Sequence, residues 1–198
     1  MAAEPPEAGV TGRVVVGVTG SLASLAALRY ASALARRDGV PLLAVLVWEP
    51  PEGEALYARM PDRSWARMWA EDARRRLEDA VADGLGAVPA GVAFEGRAVR
   101  GTPAAALCRV ADRPGDLLVV GSASGSGRSA FGRLRRRRVL RAVLTGAGCP
   151  VLTVPGPALL PGEARVLRRN ARTPAPDRRR STGAGAGADE AGSRLGRP

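Results

Sequence analysis

Two stretches in the second half of the chain, DLLVVGS (residues 116–122) and CPVLTVP (residues 149–155), decide the fold class. Each contains an apolar, partly β-branched run of the length of a strand that is buried on both faces. The first run ends at Gly121-Ser122 and is followed by a Gly/Ser-rich loop and a helical pattern. Such a junction presents backbone N–H groups to an anion at the carboxyl end of a parallel strand. It predicts a binding site rather than a catalytic one.

The same alternation of buried-type strands and amphipathic helices extends back to residue 13. The predicted strands cover residues 13–18, 42–47, 92–98, 117–120 and 151–154, and the predicted helices cover residues 21–38, 64–84, 102–111 and 134–145. This pattern predicts an α/β fold, an open five-stranded parallel sheet with helices on both faces and right-handed crossovers. Trp65 and Trp69 share the apolar stripe of the second helix, and we expect them to anchor the core.

The basic charge of the chain is concentrated in two segments. The formal net charge is +11, but residues 128–141 contain seven arginines and no acid, and residues 161–198 contain nine arginines and four acids. The rest of the chain is therefore nearly neutral, which argues against a broad nucleic-acid-binding face. We predict a folded domain over residues 13–157, a disordered N-terminal tail over residues 1–12, and a disordered Arg/Gly/Pro/Ala-rich tail over residues 158–198.

Several classes of site are excluded by composition. The chain contains no histidine, so it has no Ser-His triad and no histidine general base. Cys108 and Cys149 lack metal-ligand spacing, and we interpret them as buried, reduced thiols. No apolar run approaches the length of a membrane span and no leader is recognisable, so we expect a soluble, cytoplasmic protein without a membrane partner.

Three stretches taken together carry a family resemblance. They are VVVGVTGS (residues 14–21), VLVWEP (residues 45–50), and GTP (residues 101–103) followed by the two stretches quoted first. In this order they resemble the universal stress protein family, in its actinobacterial form. The resemblance implies strand order 3-2-1-4-5, as in adenine-nucleotide-hydrolase-like folds, with no bound metal and no catalysis. It also implies a homodimer paired through the fifth strands, at Val151, Leu152, Thr153 and Val154, and an exposed apolar edge strand needs such a cover.

The resemblance further implies a nucleotide site, because many members of this family bind ATP. The positions carried over are Val18, Thr19, Val47, Val120, Gly121, Ser122, Gly125, Arg137, Arg138 and Val139. Two positions depart from the family pattern. Thr19 stands where the family has Asp, and Arg137-Arg138 stand where it has a Gly-Ser pair that lets the backbone approach a phosphate.

Two interpretations follow from these departures. In the first, the nucleotide site has decayed and the arginines are solvated. In the second, arginine side chains hold the phosphates in place of the Gly-Ser pair, because guanidinium groups match phosphate oxygens. This second interpretation places Arg135–Arg138 in the first turn of the fourth helix, where a bound anion would offset their repulsion by the helix dipole.

Three functions remain open. The first is a regulatory or binding protein of the bacterial stress response, acting through protein partners and gated by a nucleotide. The second is binding of nucleic acid or another acidic partner through residues 128–141 and the basic tail; the few exposed-looking aromatic residues disfavour nucleic acid. The third is an enzyme of the wider adenine-nucleotide-hydrolase class, which the lack of a recognisable nucleophile and base disfavours.

Overall fold

The computed structural model describes residues 12–122 and 130–157, with the backbone alone for residues 130–136. Both predicted tails lie outside these residues, apart from Gly12, and so does Gly125. The elements are β1 (Val14–Val18), α1 (Leu22–Asp38), β2 (Leu42–Trp48), α2 (Glu54–Tyr57), α3 (Arg63–Leu85), β3 (Phe94–Arg100), α4 (Pro103–Val110), β4 (Leu117–Ser122), α5 (Ala130–Gly146) and β5 (Val151–Pro155).

The five strands form one parallel sheet in the order β3-β2-β1-β4-β5. The predicted fold class and strand order are therefore confirmed. The central strand β1 is buried along its whole length and pairs with β2 on one side and β4 on the other. The sequence signal for this strand was its unbroken apolar run, which fits a strand covered on both faces.

Two apolar clusters, one on each face of the sheet, form the core. The first packs α1 and α3 against the sheet, and the second packs α4 and α5 against the opposite face. Helix α1 approaches the sheet closely because its inner face consists largely of alanine; Ala27, Ala31 and Ala35 have no exposed surface. The helix begins at the predicted N-cap, Ser21, and ends at Gly39, whose φ of 66° is the left-handed conformation that favours glycine.

Three local predictions were wrong. Helix α5 begins at Ala130, not near residue 134, so Arg135–Arg138 do not lie in its first turn. Trp65 is 53% exposed and Trp69 is only half-buried, so neither tryptophan anchors the core. A short helix, α2, interrupts the loop after β2 and was not predicted.

The two cysteines are half-buried rather than buried, and both are free thiols. Burial raises the pKa of both thiols above the usual value, which keeps them protonated at neutral pH. They are therefore poor nucleophiles, as the interpretation of structural thiols requires.

A buried ion pair joins the amino ends of β1 and β4. The Asp116 carboxylate has no exposed side-chain surface and accepts hydrogen bonds from Arg13 Nε at 3.1 Å and Nη2 at 3.2 Å. Arg13 Nη2 also donates to the carbonyl of Val110 at 2.6 Å, at the end of α4. The guanidinium therefore connects three elements. Asp116 is its close, buried partner, and the exposed carboxylate of Asp112 lies 3.9 Å from Nη2.

We expect Asp116→Asn to lower the free energy of unfolding by about 3–5 kcal/mol, because it leaves the mostly buried Arg13 charge with only the exposed carboxylate of Asp112, 3.9 Å away. Urea unfolding measures the change. The control is Glu95→Gln, which removes the partner of Arg97 in an exposed pair on the edge strand β3 and should have little effect. Equal effects of the two substitutions would contradict this account of the pair.

Candidate functional site

The candidate site lies at the carboxyl ends of β1 and β4. The chain leaves β1 towards α1 on one face of the sheet, and the neighbouring β4 leads to α5 on the other face. Gly17 pairs with Val120, so the two strands end side by side. Adjacent parallel strands whose connections leave in opposite directions create a crevice, and ligands of open α/β folds bind in such crevices.

Three hydroxyl groups cluster on the β1 side of the crevice. The Oγ1 of Thr19 lies 3.0 Å from Ser21 Oγ and 3.3 Å from Ser24 Oγ. Ser24 Oγ accepts from the backbone N–H of Thr19 at 3.2 Å and donates to the carbonyl of Ser21 at 2.9 Å. The cluster is therefore held in place by the first turn of α1. Ser24 is buried, so the exposed Thr19 and the half-buried Ser21 are the members that offer a hydroxyl group to a ligand. A carboxylate in this place would offer negative charge.

Sequence reasoning assigned Thr19 to the site but did not assign Ser21 or Ser24. Ser21 was predicted only as a helix cap, and it does accept from the backbone N–H of Ser24 at 3.3 Å. The signal for the cluster was nevertheless present, because Ser21 and Ser24 are three residues apart at the start of a helix, a spacing that places two hydroxyl groups beside the same turn.

The β4 side of the crevice is formed by backbone that touches α1. A Cβ atom at Gly121 would lie 2.7 Å from the backbone N of Ser24 and against the carbonyl of Ala23. A Cβ atom at Gly156, just after β5, would lie 2.9 Å from the Cβ of Ala23. Gly121 is therefore required for packing, independently of any ligand. The absence of a side chain there lets the amino end of α1 reach the end of β4.

The other predicted site residues fall into two groups. Val18 and Val120 are buried, and Val47 and Val139 are half-buried against the second apolar cluster, so these four side chains serve the core. Thr19 is exposed and Ser122 is half-buried at the crevice. The structure thus brings Thr19 to the neighbouring ends of β1 and β4, while the four valines offer a ligand only their main chain.

Arg137 and Arg138 are exposed on α5, well beyond its start. Arg137 is the eighth residue of the helix, roughly 10 Å along the axis from Ala130. The predicted cost of placing cations at the positive end of the helix therefore does not apply to these side chains, since the dipole effect is confined to the first turn.

Two surface depressions lie away from the crevice. One, of about 550 Å³, lies beside the residues that precede β1 and β4 and includes Arg13, Arg97, Arg109 and Arg113. Arg109 lies in the last turn of α4, where cations are favoured by the helix dipole. Arg13 is paired with Asp116 and Arg97 with Glu95, so the charge of these three arginines has a structural explanation. The other, of about 280 Å³, is lined by aromatic residues of α2 and α3.

Within residues 12–122 and 130–157, no group of three or more cysteine, aspartate or glutamate side chains is placed to hold a metal ion. In the same part of the chain, no helix combines the length and apolar character needed to cross a membrane.

The family model for the universal stress protein family matches residues 11–155. No curated protein matches the chain. The matched range includes all ten elements of the fold and ends at the last residue of β5.

Two solved structures with TM-scores of 0.50 or more give the same result for the fold. A protein of the universal stress protein family from Burkholderia pseudomallei is 26% identical, with 76% of this chain and 100% of that chain covered and a TM-score of 0.50. The hypothetical protein MJ0577 is 13% identical, with 75% and 99% covered and a TM-score of 0.53. A universal stress protein in complex with cAMP is 28% identical, with 72% and 95% covered and a TM-score of 0.43.

We expect Gly121→Val to lower the free energy of unfolding by about 1–3 kcal/mol, because the new side chain meets the backbone of Ala23 and Ser24. Thermal unfolding measures the effect. Gly148→Ala is the matched control, since a Cβ atom at Gly148 meets no atom within 4 Å. If Gly121→Val were as stable as the wild type, α1 would not be held against β4 in the way described.

Proposed function

Because this chain belongs to the universal stress protein family, we propose that it is a non-catalytic regulatory protein of the bacterial stress response, a cytoplasmic homodimer with an altered adenine-nucleotide site. One observation carries the nucleotide part of this proposal, the crevice between β1 and β4, where the hydroxyl cluster of Thr19, Ser21 and Ser24 lies beside Gly121. Hydroxyl and backbone N–H groups there are suited to phosphate or ribose oxygens.

The altered residue at position 19 changes how a nucleotide is held. A carboxylate accepts hydrogen bonds from ribose hydroxyls and binds cations, whereas the Thr19 hydroxyl does neither as strongly. The phosphate chain of a nucleotide, in turn, is less repelled without the carboxylate. We therefore propose that this site favours the phosphate end of the ligand and retains less affinity for the ribose than a site with aspartate.

The absence of turnover is supported by the chemistry of the crevice. Among the residues that the structure describes, the polar side chains at the ends of β1 and β4 are hydroxyl groups, and those of Thr19, Ser21 and Ser24 hydrogen-bond to one another and to α1. A hydroxyl nucleophile needs an adjacent general base, and no histidine exists in the chain. Nucleotide would then act as a regulatory ligand rather than as a substrate.

A calorimetric titration with ATP and Mg²⁺, at two salt concentrations, tests the nucleotide proposal on protein freed of co-purified nucleotide. We expect one site per chain with weak salt dependence. Thr19→Val should weaken binding by roughly two- to tenfold, the equivalent of one hydrogen bond. Thr145→Val, which removes a hydroxyl that donates to the carbonyl of Arg141 on exposed α5, is the control.

Two other outcomes would reject nucleotide binding in the crevice. No heat of binding at either salt concentration means that the site has decayed. Binding that weakens by orders of magnitude as salt rises indicates contacts between the arginines and phosphates, as expected for a nucleic-acid surface. The second outcome would direct attention to α5, where Arg137, Arg138 and Arg141 are all exposed.

The homodimer is supported by the position of β5. This strand is at the edge of the sheet, and its residues Val151, Leu152 and Val154 are only half-buried. Unpaired edges of this kind favour pairing with another strand. In the proposed dimer, the two β5 strands pair antiparallel, which brings the exposed side chain of Thr153 towards the partner subunit.

We expect Thr153→Glu to convert the dimer into monomers, because it places like charges at the paired edges. Sedimentation equilibrium measures the mass. Ala105→Glu is the control, since Ala105 is exposed in the first turn of α4, where an acid is favoured by the helix dipole. A wild-type protein that sediments as a monomer would refute the dimer, and a dimeric Thr153→Glu variant would place the interface elsewhere.

A further inference from the structure

The amino end of α3 exposes an aromatic surface that the nucleotide proposal does not use. Met60 and Trp65 are 85% and 53% exposed, although the apolar stripe of the helix includes Trp65. Together with Tyr57 and Trp69 they line a depression of about 280 Å³, which we call the aromatic depression. Tyr57 is buried, but Met60 and Trp65 are exposed, and large apolar side chains exposed around a concave surface indicate a binding site.

The three rings of the aromatic depression have different orientations. The centroids of Tyr57 and Trp69 are 5.8 Å apart with an interplanar angle of 67°, and those of Trp65 and Trp69 are 6.0 Å apart with an angle of 33°. Tyr57 is buried and meets Trp69 edge to face, whereas Trp65 is 53% exposed, so Trp65 is the ring most open to a ligand in the aromatic depression. A cation over the face of this ring is attracted by the negative potential of its π system.

Two carboxylates add to this negative potential. Glu52 and Asp62 are the charged residues that line the aromatic depression. Asp62 Oδ1 accepts from the backbone N–H and the hydroxyl of Ser64 at 2.7 and 2.6 Å. These hydrogen bonds lower the pKa of Asp62 and keep it ionised. The charge of the site therefore suits a cation and repels the phosphates of a nucleotide.

The shape of the aromatic depression is stabilised by contacts of Tyr57 with its neighbours. The hydroxyl of Tyr57 donates to the carbonyl of Asp62 at 2.8 Å, which joins the end of α2 to the start of α3. The guanidinium carbon of Arg100 lies 4.4 Å from the Tyr57 ring centroid. The Nε and Nη2 atoms of Arg100 donate hydrogen bonds to the carboxylate of Glu54. Arg100 is thus neutralised by its own partner, and the Tyr57 ring already hosts one cation–π contact.

We propose that the aromatic depression binds a small organic cation of the quaternary ammonium type. The combination of the exposed indole ring of Trp65 and two flanking carboxylates recognises a weakly hydrated cation through its charge and its methyl surface together. Its volume lies at the lower limit of small-molecule sites, so the ligand is a free small molecule of a few carbon atoms.

The test compares choline with its neutral isostere 3,3-dimethylbutan-1-ol, in which carbon replaces the charged nitrogen. Proton NMR follows the methyl resonance of each ligand as the full-length protein is added, because binding over aromatic faces shifts it upfield. We expect a saturable shift for choline and none for the isostere at the same concentrations. Equal shifts for both would overturn the proposal, since they would indicate only an apolar surface.

Substitutions then locate the site. Trp65→Leu should weaken choline binding about fivefold or more, whereas Trp65→Phe, which retains a ring, should weaken it less. Glu52→Gln should weaken choline binding about threefold. Glu78→Gln, on the exposed surface of α3, should leave choline binding unchanged. An unfolding temperature equal to that of the wild type confirms that a variant is folded. Unchanged choline binding in both Trp65→Leu and Glu52→Gln would overturn the proposal.

A competition experiment separates this site from the nucleotide crevice. Choline bound in the aromatic depression should remain bound when ATP is added, and Thr19→Val should not alter choline binding. Displacement of choline by ATP would overturn the proposal, because it would assign the tryptophans to a nucleobase.

Discussion

The contact between the first turn of α1 and the end of β4 is the constraint on which the crevice depends. Gly121 and Gly156 have no side chains, and the backbone around Ala23 occupies the space that a Cβ atom at either position would need. The amino end of α1 is therefore fixed beside two strand ends at once. The hydroxyl cluster lies beside the same strand ends, because Ser21 and Ser24 belong to the start of α1 and Thr19 hydrogen-bonds to both.

Most of the fold was predictable because the three central strands, β2, β1 and β4, are largely buried and leave an unbroken apolar signal. The misplaced tryptophans show where periodicity alone fails. Helix α3 has 23 residues, about 34 Å, whereas the neighbouring β3 has 7 residues, about 23 Å. The helix is longer than the strand it covers. Its stripe is buried from Ala73 to Gly84, but Trp65 has no sheet beneath it, although its spacing is the same.

The site was less predictable than the fold, for two physical reasons. The start of α5 was placed too late because Gly132, a poor helix former, interrupts the pattern that begins at Ala130. A motif also identifies positions but not the direction of their side chains. Val18, Val120 and Val139 belong to the nucleotide motif, yet their side chains pack in the core. The motif assigned Thr19 to the site, and the register of β1 against β4 shows which strand end lies beside it.

The carboxyl end of the sheet combines surfaces of opposite charge. On the side of β2 and β3, the aromatic depression has Glu52 and Asp62 at its surface, and the charge of Arg100 is neutralised by Glu54. On the side of β4, helix α5 presents Arg137 and Arg138 to solvent about two turns from its amino end. In the proposed nucleotide complex, the acids would repel the phosphates from β2 and β3, and the arginines would attract them towards β4. Thr19 follows β1, which lies between these two flanks, and it adds no negative charge there.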